Sequence, residues 1–282
     1  MTTPHASATW KVPARRALAW LALSAWALLS LTLWGLPGMA RAGEVADRVR
    51  ERNQLLVCIW PAYQGITHRH PRTEHLVGID IDLSIELAHD LGVALRHVDS
   101  SFQTLIPDLL ADRCDIAMFA IAVLPQRAAH LSFSKPYLSS DIYAVTTRHN
   151  RTVRRWEDID RPGVRVAVQA GTFMQPVMAR TLREATLVVI EPPASREREL
   201  ESGRIDVFMT DYPYSRTLQR QEWTQVISPP QPFNVVPYAY AVKPGDAAWL
   251  QRINQFVERI QQDGRLDAAA RRHGLSEIVV RP

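Results

Sequence analysis

Residues 115–128, DIAMFAIAVLPQRA, contain the strand and the helix start on which the fold of this chain depends. The apolar first half has no interruption, which is typical of a buried strand in a parallel sheet. Pro125 then takes the favoured first position of a helix. Arg127 falls in the first turn, where the helix dipole disfavours a cation. A bound anion, held by free backbone N–H groups and the guanidinium, would explain this arrangement. A surface arginine that points away is the alternative.

Strands and helices alternate along the rest of the chain. Apolar runs typical of strands occur at 55–59, 93–98, 115–119, 142–148, 164–169, 187–190, 206–210 and 236–242. Helical periodicity occurs at 80–91, 102–110, 172–183, 194–201 and 246–263. This order predicts an α/β fold with mainly parallel sheets. Two similar halves predict two lobes, with crossings between them near residues 145–149 and 235–240.

The basic character of the chain comes from its N-terminus. The formal net charge is +4 and the pI is near 9.3. The first 42 residues contain no acid and hold four basic side chains, Lys11, Arg15, Arg16 and Arg41. The remainder therefore carries equal numbers of acidic and basic side chains. This balance argues against nucleic acid as a partner.

Residues 1–42 have the layout of a secretory signal peptide. A basic segment precedes an uncharged apolar stretch at 17–40, which a Pro-Gly pair at 37–38 interrupts. Ala-Arg-Ala at 40–42 then supplies a small-x-small cleavage pattern. The apolar run is also nearly long enough to span a bilayer, so an uncleaved inner-membrane anchor is the alternative. Both interpretations predict that the folded part lies in the periplasm.

Cys58 and Cys114 could form a disulfide in an exported protein. Cys58 lies inside one strand-like run and Cys114 lies just before another. If those strands are parallel neighbours, the two sulfur atoms are several residues out of step and too far apart to bond. We therefore expect two free cysteines, with a disulfide as the alternative.

Two polar stretches are interpreted as solvated surface. Residues 67–75 hold three histidines and one glutamate, but two arginines there would repel a cation and the spacing fits no familiar metal site. Residues 196–199, RERE, predict an exposed helix face with local ion pairs. The sequence contains no G-x-G-x-x-G motif, no P-loop, no G-x-S-x-G motif and no H-E-x-x-H motif. We expect no metal and no cofactor.

The second half of the chain offers two further candidate binding residues. Gly171 permits a close approach, and Thr172 stands at a predicted helix N-cap position. Capping alone accounts for Thr172, and an anion-binding hydroxyl accounts for it equally well. Asp211 ends an apolar strand at its carboxyl end, where open α/β sheets bind ligands. A structural cap for the next helix is the alternative for Asp211.

Several short motifs, met in order, resemble those of the type 2 periplasmic solute-binding proteins of the polar amino-acid class, family 3. They are GIDIDL at 78–83, LIPDL at 105–109, RCDIA at 113–117, LPQRA at 124–128, FSKPY at 133–137, QAGT at 169–172, and GRID at 203–206 with Asp211. Each motif is weak alone, and their common order makes the resemblance specific. It covers essentially the whole chain after residue 42.

The resemblance implies a type II periplasmic binding protein fold, in which two α/β lobes joined by two crossover strands close on a ligand. Residues 43–146 and 237–282 would form the first lobe, and residues 147–236 the second. By the same resemblance Arg127 grips the α-carboxylate of the ligand, Thr172 adds a contact from the second lobe, and Asp211 takes the α-ammonium.

The chain departs from the family pattern inside the expected cleft. Ala120 and Ala122 stand where a glycine or small residue and a hydroxyl residue are common, and Phe119 stands where smaller residues are common. Aromatic side chains suit flat or apolar parts of a ligand. Those expected to line the cleft are Trp60, Tyr63, Phe102, Phe119, Phe173 and Tyr212.

The resemblance implies a monomeric binding protein that delivers an amino acid or related zwitterion to an ABC transporter permease in the inner membrane. A membrane-anchored or accessory sensor of the same fold is the first alternative. A dehydratase-like enzyme is the second, and it would need another carboxylate near Arg127 as a general acid or base. The residues after Asp211, YPYS, contain no acid.

Overall fold

The computed structural model describes residues 43–192 and 194–281. The predicted signal peptide, residues 1–42, lies outside the described residues. Within the described part of the chain, no helix has both the length and the apolar character needed to cross a membrane.

Fourteen strands and nine α-helices form the described structure. The strands are β1 Gln54–Ile59, β2 Ala62–Tyr63, β3 Thr67–Arg69, β4 Leu76–Val77, β5 Ala94–Asp99, β6 Ile116–Ala122, β7 Ser132–Phe133, β8 Leu138–Ser140, β9 Ile142–Thr147, β10 Arg165–Gln169, β11 Thr186–Ile190, β12 Val207–Asp211, β13 Thr224–Ile227 and β14 Val236–Val242. The helices are α1 Glu44–Arg52, α2 Ile79–Leu91, α3 Leu105–Leu110, α4 Pro125–Ala128, α5 Met174–Thr181, α6 Arg196–Glu201, α7 Tyr212–Leu218, α8 Ala247–Gln262 and α9 Arg265–His273.

Two larger sheets define two lobes. The first has the order β5-β1-β6-β14-β7, with β8 also paired to β14, and the second has the order β11-β10-β12-β9-β13. The pairs β1–β5, β1–β6, β10–β11 and β10–β12 are parallel, whereas β9 and β14 pair antiparallel with their neighbours. The α/β class with two sheets is therefore confirmed. Each sheet is mixed, because parallel pairs form on β1 and β10 and antiparallel pairs form on β9 and β14.

The chain changes sheet at Asp141, because β8 belongs to the first sheet and β9 to the second. This crossing comes a few residues earlier than the predicted position near 145–149. The return crossing lies between β13 and β14. The Asp141 carboxylate accepts hydrogen bonds from the backbone N–H groups of Phe233 and Asn234, at 2.8 and 2.7 Å. Asp141 thereby holds the two crossings side by side.

Strand β6 lies at the centre of the first lobe, and all seven of its residues are buried. This burial explains its uninterrupted apolar sequence. Helix α8 buries its predicted stripe, which includes Trp249, Ile253, Phe256 and Ile260. The carboxyl ends of β1, β6, β10 and β12 carry the loops in which the candidate site residues lie.

The histidine-rich stretch 67–75 is only partly the solvated loop that was predicted. Its first residues form β3, which pairs antiparallel with β2 and β4. Thr67 is fully buried, and its hydroxyl donates to the Trp60 carbonyl oxygen at 2.7 Å. Residues 71–75 are exposed. In residues 43–192 and 194–281, no group of three or more His, Cys, Asp or Glu side chains is arranged to hold a metal.

Cys58 and Cys114 form a disulfide, so the expectation of free thiols is wrong. Strands β1 and β6 are parallel neighbours, as that reasoning assumed. The chain, however, bends at Asp115, just before β6 begins. Cys114 therefore leaves the line of the strand, and its Cα atom lies 5.6 Å from that of Cys58. The prediction of free thiols was wrong because it assumed that the residues before Ile116 continue the straight line of β6.

We expect reduction of this disulfide to lower stability substantially. The two cysteines are 56 residues apart, and opening a loop of that size costs about 4 kcal/mol of unfolding free energy. For a chain of this length the loss corresponds to roughly 10 °C in melting temperature. Thermal unfolding with and without reductant measures it. A double Cys58→Ser, Cys114→Ser variant should melt at the lower temperature in both conditions. Equal melting temperatures for oxidised and reduced wild type would contradict the prediction.

Candidate functional site

Arg127 is a buried cation that joins the two lobes. Its side chain contacts the last residue of β6 and is only 5% exposed. Nη1 donates to the Ala122 carbonyl oxygen at 3.0 Å, and Nη2 donates to the Gly171 carbonyl oxygen in the second lobe at 2.8 Å. The guanidinium also stacks over the Phe102 ring, 5.1 Å from its centroid. Burial lowers the pKa of Arg127 to about 10, so the group remains charged at neutral pH.

Asp211 is the matching buried anion of the second lobe. Its Oδ1 caps helix α7 by accepting from the Tyr214 N–H at 3.3 Å. Its Oδ2 accepts from the Tyr63 hydroxyl and, at 2.7 Å, from the Tyr238 hydroxyl, both of which belong to the first lobe. Burial raises the pKa of Asp211, and the two tyrosine hydrogen bonds oppose that rise. Both interpretations of Asp211, as a helix cap and as a group that faces the cleft, therefore describe its geometry.

Thr172 does not occupy the predicted helix N-cap. Helix α5 begins two residues later, at Met174, with Phe173 in the N-cap position. The Thr172 hydroxyl donates to the Gln169 carbonyl oxygen at 2.7 Å, which closes the turn after β10. Thr172 still lines the cavity between the lobes, and helix capping does not explain why a threonine occupies this position.

A small cavity lies between the two lobes. Six of the predicted residues line it: Trp60, Tyr63, Phe102, Thr172, Phe173 and Asp211. The lining also includes Ala62, Met174, Arg196, Thr210 and Tyr214. The volume open to water-sized molecules is about 20 Å³, which is room for about one water molecule. The lobes are therefore closed on each other, and a ligand must displace some of the contacts described above.

One connected aromatic group on the first lobe contains Trp60, Tyr63, Phe102 and Phe119. Trp60 packs against Tyr63 and Phe102, with ring centroids 5.4 and 5.2 Å apart. Phe119 is fully buried behind Phe102, at 5.1 Å, and supports the cavity wall without lining it. Tyr212 packs on Tyr143 at 5.9 Å and also lies outside the lining.

Ala120 and Ala122 are buried in β6 and contact the site through their backbone. Ala120 has a positive φ of 48°, and its N–H donates to the Asp80 carboxylate at 2.8 Å. Asp80 also accepts from the Tyr137 hydroxyl at 2.6 Å and the Tyr240 hydroxyl at 3.3 Å. Burial raises the pKa of Asp80 to about 7. This second carboxylate holds the end of β6 in the shape that presents the Ala122 carbonyl group to Arg127.

Gly78, in the motif GIDIDL, allows Asp80 to reach this position. Its φ is +139°, and a Cβ atom there would collide with the backbone carbonyl group of Ile66. Glycine alone can adopt this positive φ at little cost and leave room for the Ile66 carbonyl group, because it has no Cβ atom. The motif therefore serves to bring the start of α2 close to β3.

Sequence reasoning missed two residues of the site. Arg196 was interpreted as part of a solvated helix face, but it is 7% exposed and lines the cavity. The spacing of four residues places Arg196 and Leu200 on one face of α6, but only the packing of the helix shows that this face is the buried one. Tyr238 was seen only as part of a strand. Tyr238 and Tyr240 of β14 each reach a buried carboxylate, and the strand register is irregular between Ala239 and Ala241.

A known protein family matches most of this chain. The family described as bacterial extracellular solute-binding proteins, family 3, matches residues 55–276, which is most of the chain. The match includes both lobes and all the candidate site residues.

Individual relatives include binding proteins and an enzyme. The chain is 28% identical over 242 residues to cyclohexadienyl dehydratase of Pseudomonas aeruginosa, covering 85% of this chain and 90% of that protein. It is 26% identical over 216 residues to ABC transporter arginine-binding protein 1 of Escherichia coli, covering 71% and 85%. Among solved structures, it resembles an ancestral amino acid-binding protein described as a precursor of cyclohexadienyl dehydratase. That likeness has a TM-score of 0.75 and 27% identity, and it covers 81% of this chain and 99% of the other.

Proposed function

Since the chain belongs to the bacterial extracellular solute-binding proteins, family 3, we propose that it captures an amino acid or related zwitterion in the periplasm and delivers it to an ABC transporter permease. Residues 1–42 would direct export across the inner membrane. The binding protein would act as a monomer that closes its two lobes on the ligand.

The contacts of Arg127 and Asp211 carry this proposal. Each is a buried charge on one lobe that takes a neutral hydrogen-bond partner from the other lobe. A ligand carboxylate would accept from the Arg127 guanidinium, and a ligand ammonium would donate to Asp211. Each exchange replaces a hydrogen bond between a charged group and a neutral partner with one between two opposite charges, which adds an ion pair to the hydrogen bond. A zwitterion would therefore stabilise the closed arrangement of the lobes over an open one.

The named relatives support an amino acid as the ligand class. The Escherichia coli relative is an arginine-binding protein of an ABC transporter, and the ancestral relative is an amino acid-binding protein. Neither name identifies the side chain that this cleft would accept.

A thermal-shift screen with L-amino acids, simple amines and simple carboxylates tests the proposal. We expect at least one amino acid to raise the melting temperature by several degrees, because a ligand at 100 times its Kd adds about 2.7 kcal/mol of stability. An amine or a monocarboxylate of similar size should stabilise less, because each satisfies only one of the two buried charges. Equal stabilisation by a monocarboxylate and an amino acid would contradict the zwitterion site.

The dehydratase relative supports a second candidate, an enzyme of the same fold that removes water from a cyclohexadienyl compound. Such an enzyme needs a group that transfers protons in the cleft. Among the residues that line the described cavity, Asp211 is the only carboxylate, and it is already bound to two tyrosines and a helix N-terminus. Incubation with a cyclohexadienyl compound, followed by mass spectrometry for loss of water, distinguishes the enzyme from the binding protein.

An anchored sensor is the third candidate. For such a sensor, N-terminal sequencing of the exported protein would find residues 1–42 intact.

A further inference from the structure

Arg196 is a second buried guanidinium at the cleft. It is the first residue of α6, and only 7% of it is exposed. Its guanidinium carbon lies 5.0 Å from the centroid of the Phe208 ring and 5.3 Å from that of the Tyr214 ring. These two aromatic contacts hold the planar group in one position at the wall of the cavity.

The protein supplies few hydrogen-bond acceptors to this group. Of the five N–H donors of a guanidinium, one bond is made, from Nη1 to the Met209 carbonyl oxygen at 3.0 Å. In the described part of the chain, no carboxylate lies within 4.0 Å of Arg196, although ion pairs of that kind are numerous elsewhere. The nearby Glu197 carboxylate accepts from the Tyr214 hydroxyl at 2.9 Å instead. Arg196 is therefore a fixed cation whose remaining donors are left for a group in the cavity.

The balance of charge around the cleft favours an anionic ligand. Arg127 and Asp211 are opposite charges, which the two ends of a zwitterion would match. Arg196 is a third charge. Burial raises the pKa of Asp211 and the attraction of Arg196 opposes that rise, but with a zwitterion that has no charged side chain the two arginines still outnumber the one carboxylate. A buried charge without a partner is costly, so a ligand that brings a second anionic group gains more than a neutral one. A ligand with a cationic side chain would be repelled.

Resting on the proposed function, we propose that Arg196 determines specificity by binding a second anionic group of the ligand. The ligand is then an amino acid with an acidic side chain, a dicarboxylic amino acid. This choice differs from the arginine named for the Escherichia coli relative. A purely structural role, in which Arg196 ties α6 to β12 through Met209 and packs on the two rings, would use only one of its five donors.

Isothermal titration with pairs of equal shape tests the inference. The probes are L-glutamate against L-glutamine and L-aspartate against L-asparagine, together with L-arginine and the dicarboxylate glutarate. We expect the wild type to bind one acid about 10 to 100 times more tightly than its amide, as a charge-assisted hydrogen bond predicts. In Arg196→Gln the ratio should fall to about 1. Arg198→Gln, an exposed change on the same helix, should keep the wild-type ratio.

The outcomes separate this inference from the proposed function. If an amino acid binds but the wild type does not prefer acids, or if Arg196→Gln keeps the preference, the inference is overturned and the proposed function stands. If glutarate binds through Arg196 and no amino acid binds, Arg196 is an anion site, but the amino-acid function and the dicarboxylic amino acid proposed as its ligand are both overturned. Absence of any binding overturns both. The ratio of acid to amide affinity in the wild type tests the inference without any variant. If Arg196→Gln does not fold, Arg196→Lys takes its place, because it keeps the charge and should retain part of the preference.

Discussion

Replacing Arg127 with alanine is expected to weaken ligand binding by at least about 100-fold, because two charge-assisted hydrogen bonds to a carboxylate contribute about 3 kcal/mol or more. The guanidinium is preorganised for this contact. Ala122, Gly171 and Phe102 hold it at the meeting point of the lobes, and it stays charged at neutral pH despite its burial. Calorimetric titration with the tightest-binding amino acid of the screen measures the loss.

Two further variants separate the contact from the fold. Arg127→Lys keeps the charge but not the planar fork, so it should recover only part of the affinity. Arg204→Ala removes an exposed arginine that pairs with Glu199 and lies outside the cavity lining, and this variant should bind like the wild type. Circular dichroism checks that each variant folds. Unchanged affinity in a folded Arg127→Ala protein would show that the ligand carboxylate binds elsewhere.

Gly171→Ala is expected to weaken binding by about tenfold or more by preventing the lobes from closing fully. A Cβ atom at Gly171 would lie 3.0 Å from Cγ of Gln103, 3.1 Å from its backbone nitrogen and 3.1 Å from the carbonyl carbon of Phe102. Two of these three atoms are backbone of the opposite lobe and cannot turn aside. The two lobes must give way at this contact by a few tenths of an ångström, which lengthens the hydrogen bond between Arg127 and the Gly171 carbonyl group.

Gly163→Ala is the matched control for this change. Gly163 has a φ of +82°, close to the +76° of Gly171, but no atom lies within 4 Å of its added Cβ. Both variants carry the strain of a positive φ, about 1 kcal/mol or more, and should lose similar stability. Only Gly171→Ala should lose affinity, as measured by calorimetric titration with the same ligand. Equal affinities for the two variants would mean that the lobes do not need this close approach.

The local parts of the site could be predicted from the sequence. The apolar run of β6 and the Pro-x-Arg start of α4 depend on neighbouring residues alone, so the strand, the helix and Arg127 were found together. Asp211 was found in the same way, because it follows a buried strand at its carboxyl end. The helix of 246–263 was predicted to within one residue of α8 at each end.

Arg196, Tyr238 and the disulfide could not be predicted with the same reasoning. A charged four-residue stretch has an exposed and a buried side only after α6 has packed against Phe208 and Tyr214. The Tyr238 hydroxyl reaches Asp211 only because the return crossing brings β14 next to the second lobe. The bend at Asp115 moves Cys114 toward Cys58, and no local pattern marks that bend.

Local patterns in the chain were sufficient to predict the alternation of strands and helices, the charge balance of residues 43–282, and the positions of one cation and one anion at strand ends. These features follow from periodicity and chain order, which are local. The contacts between side chains of different elements were visible only in the folded structure: Arg127 with Gly171, Asp211 with Tyr63 and Tyr238, and Arg196 with the cavity. Such contacts join residues far apart in the chain, and their geometry depends on how whole sheets and helices pack.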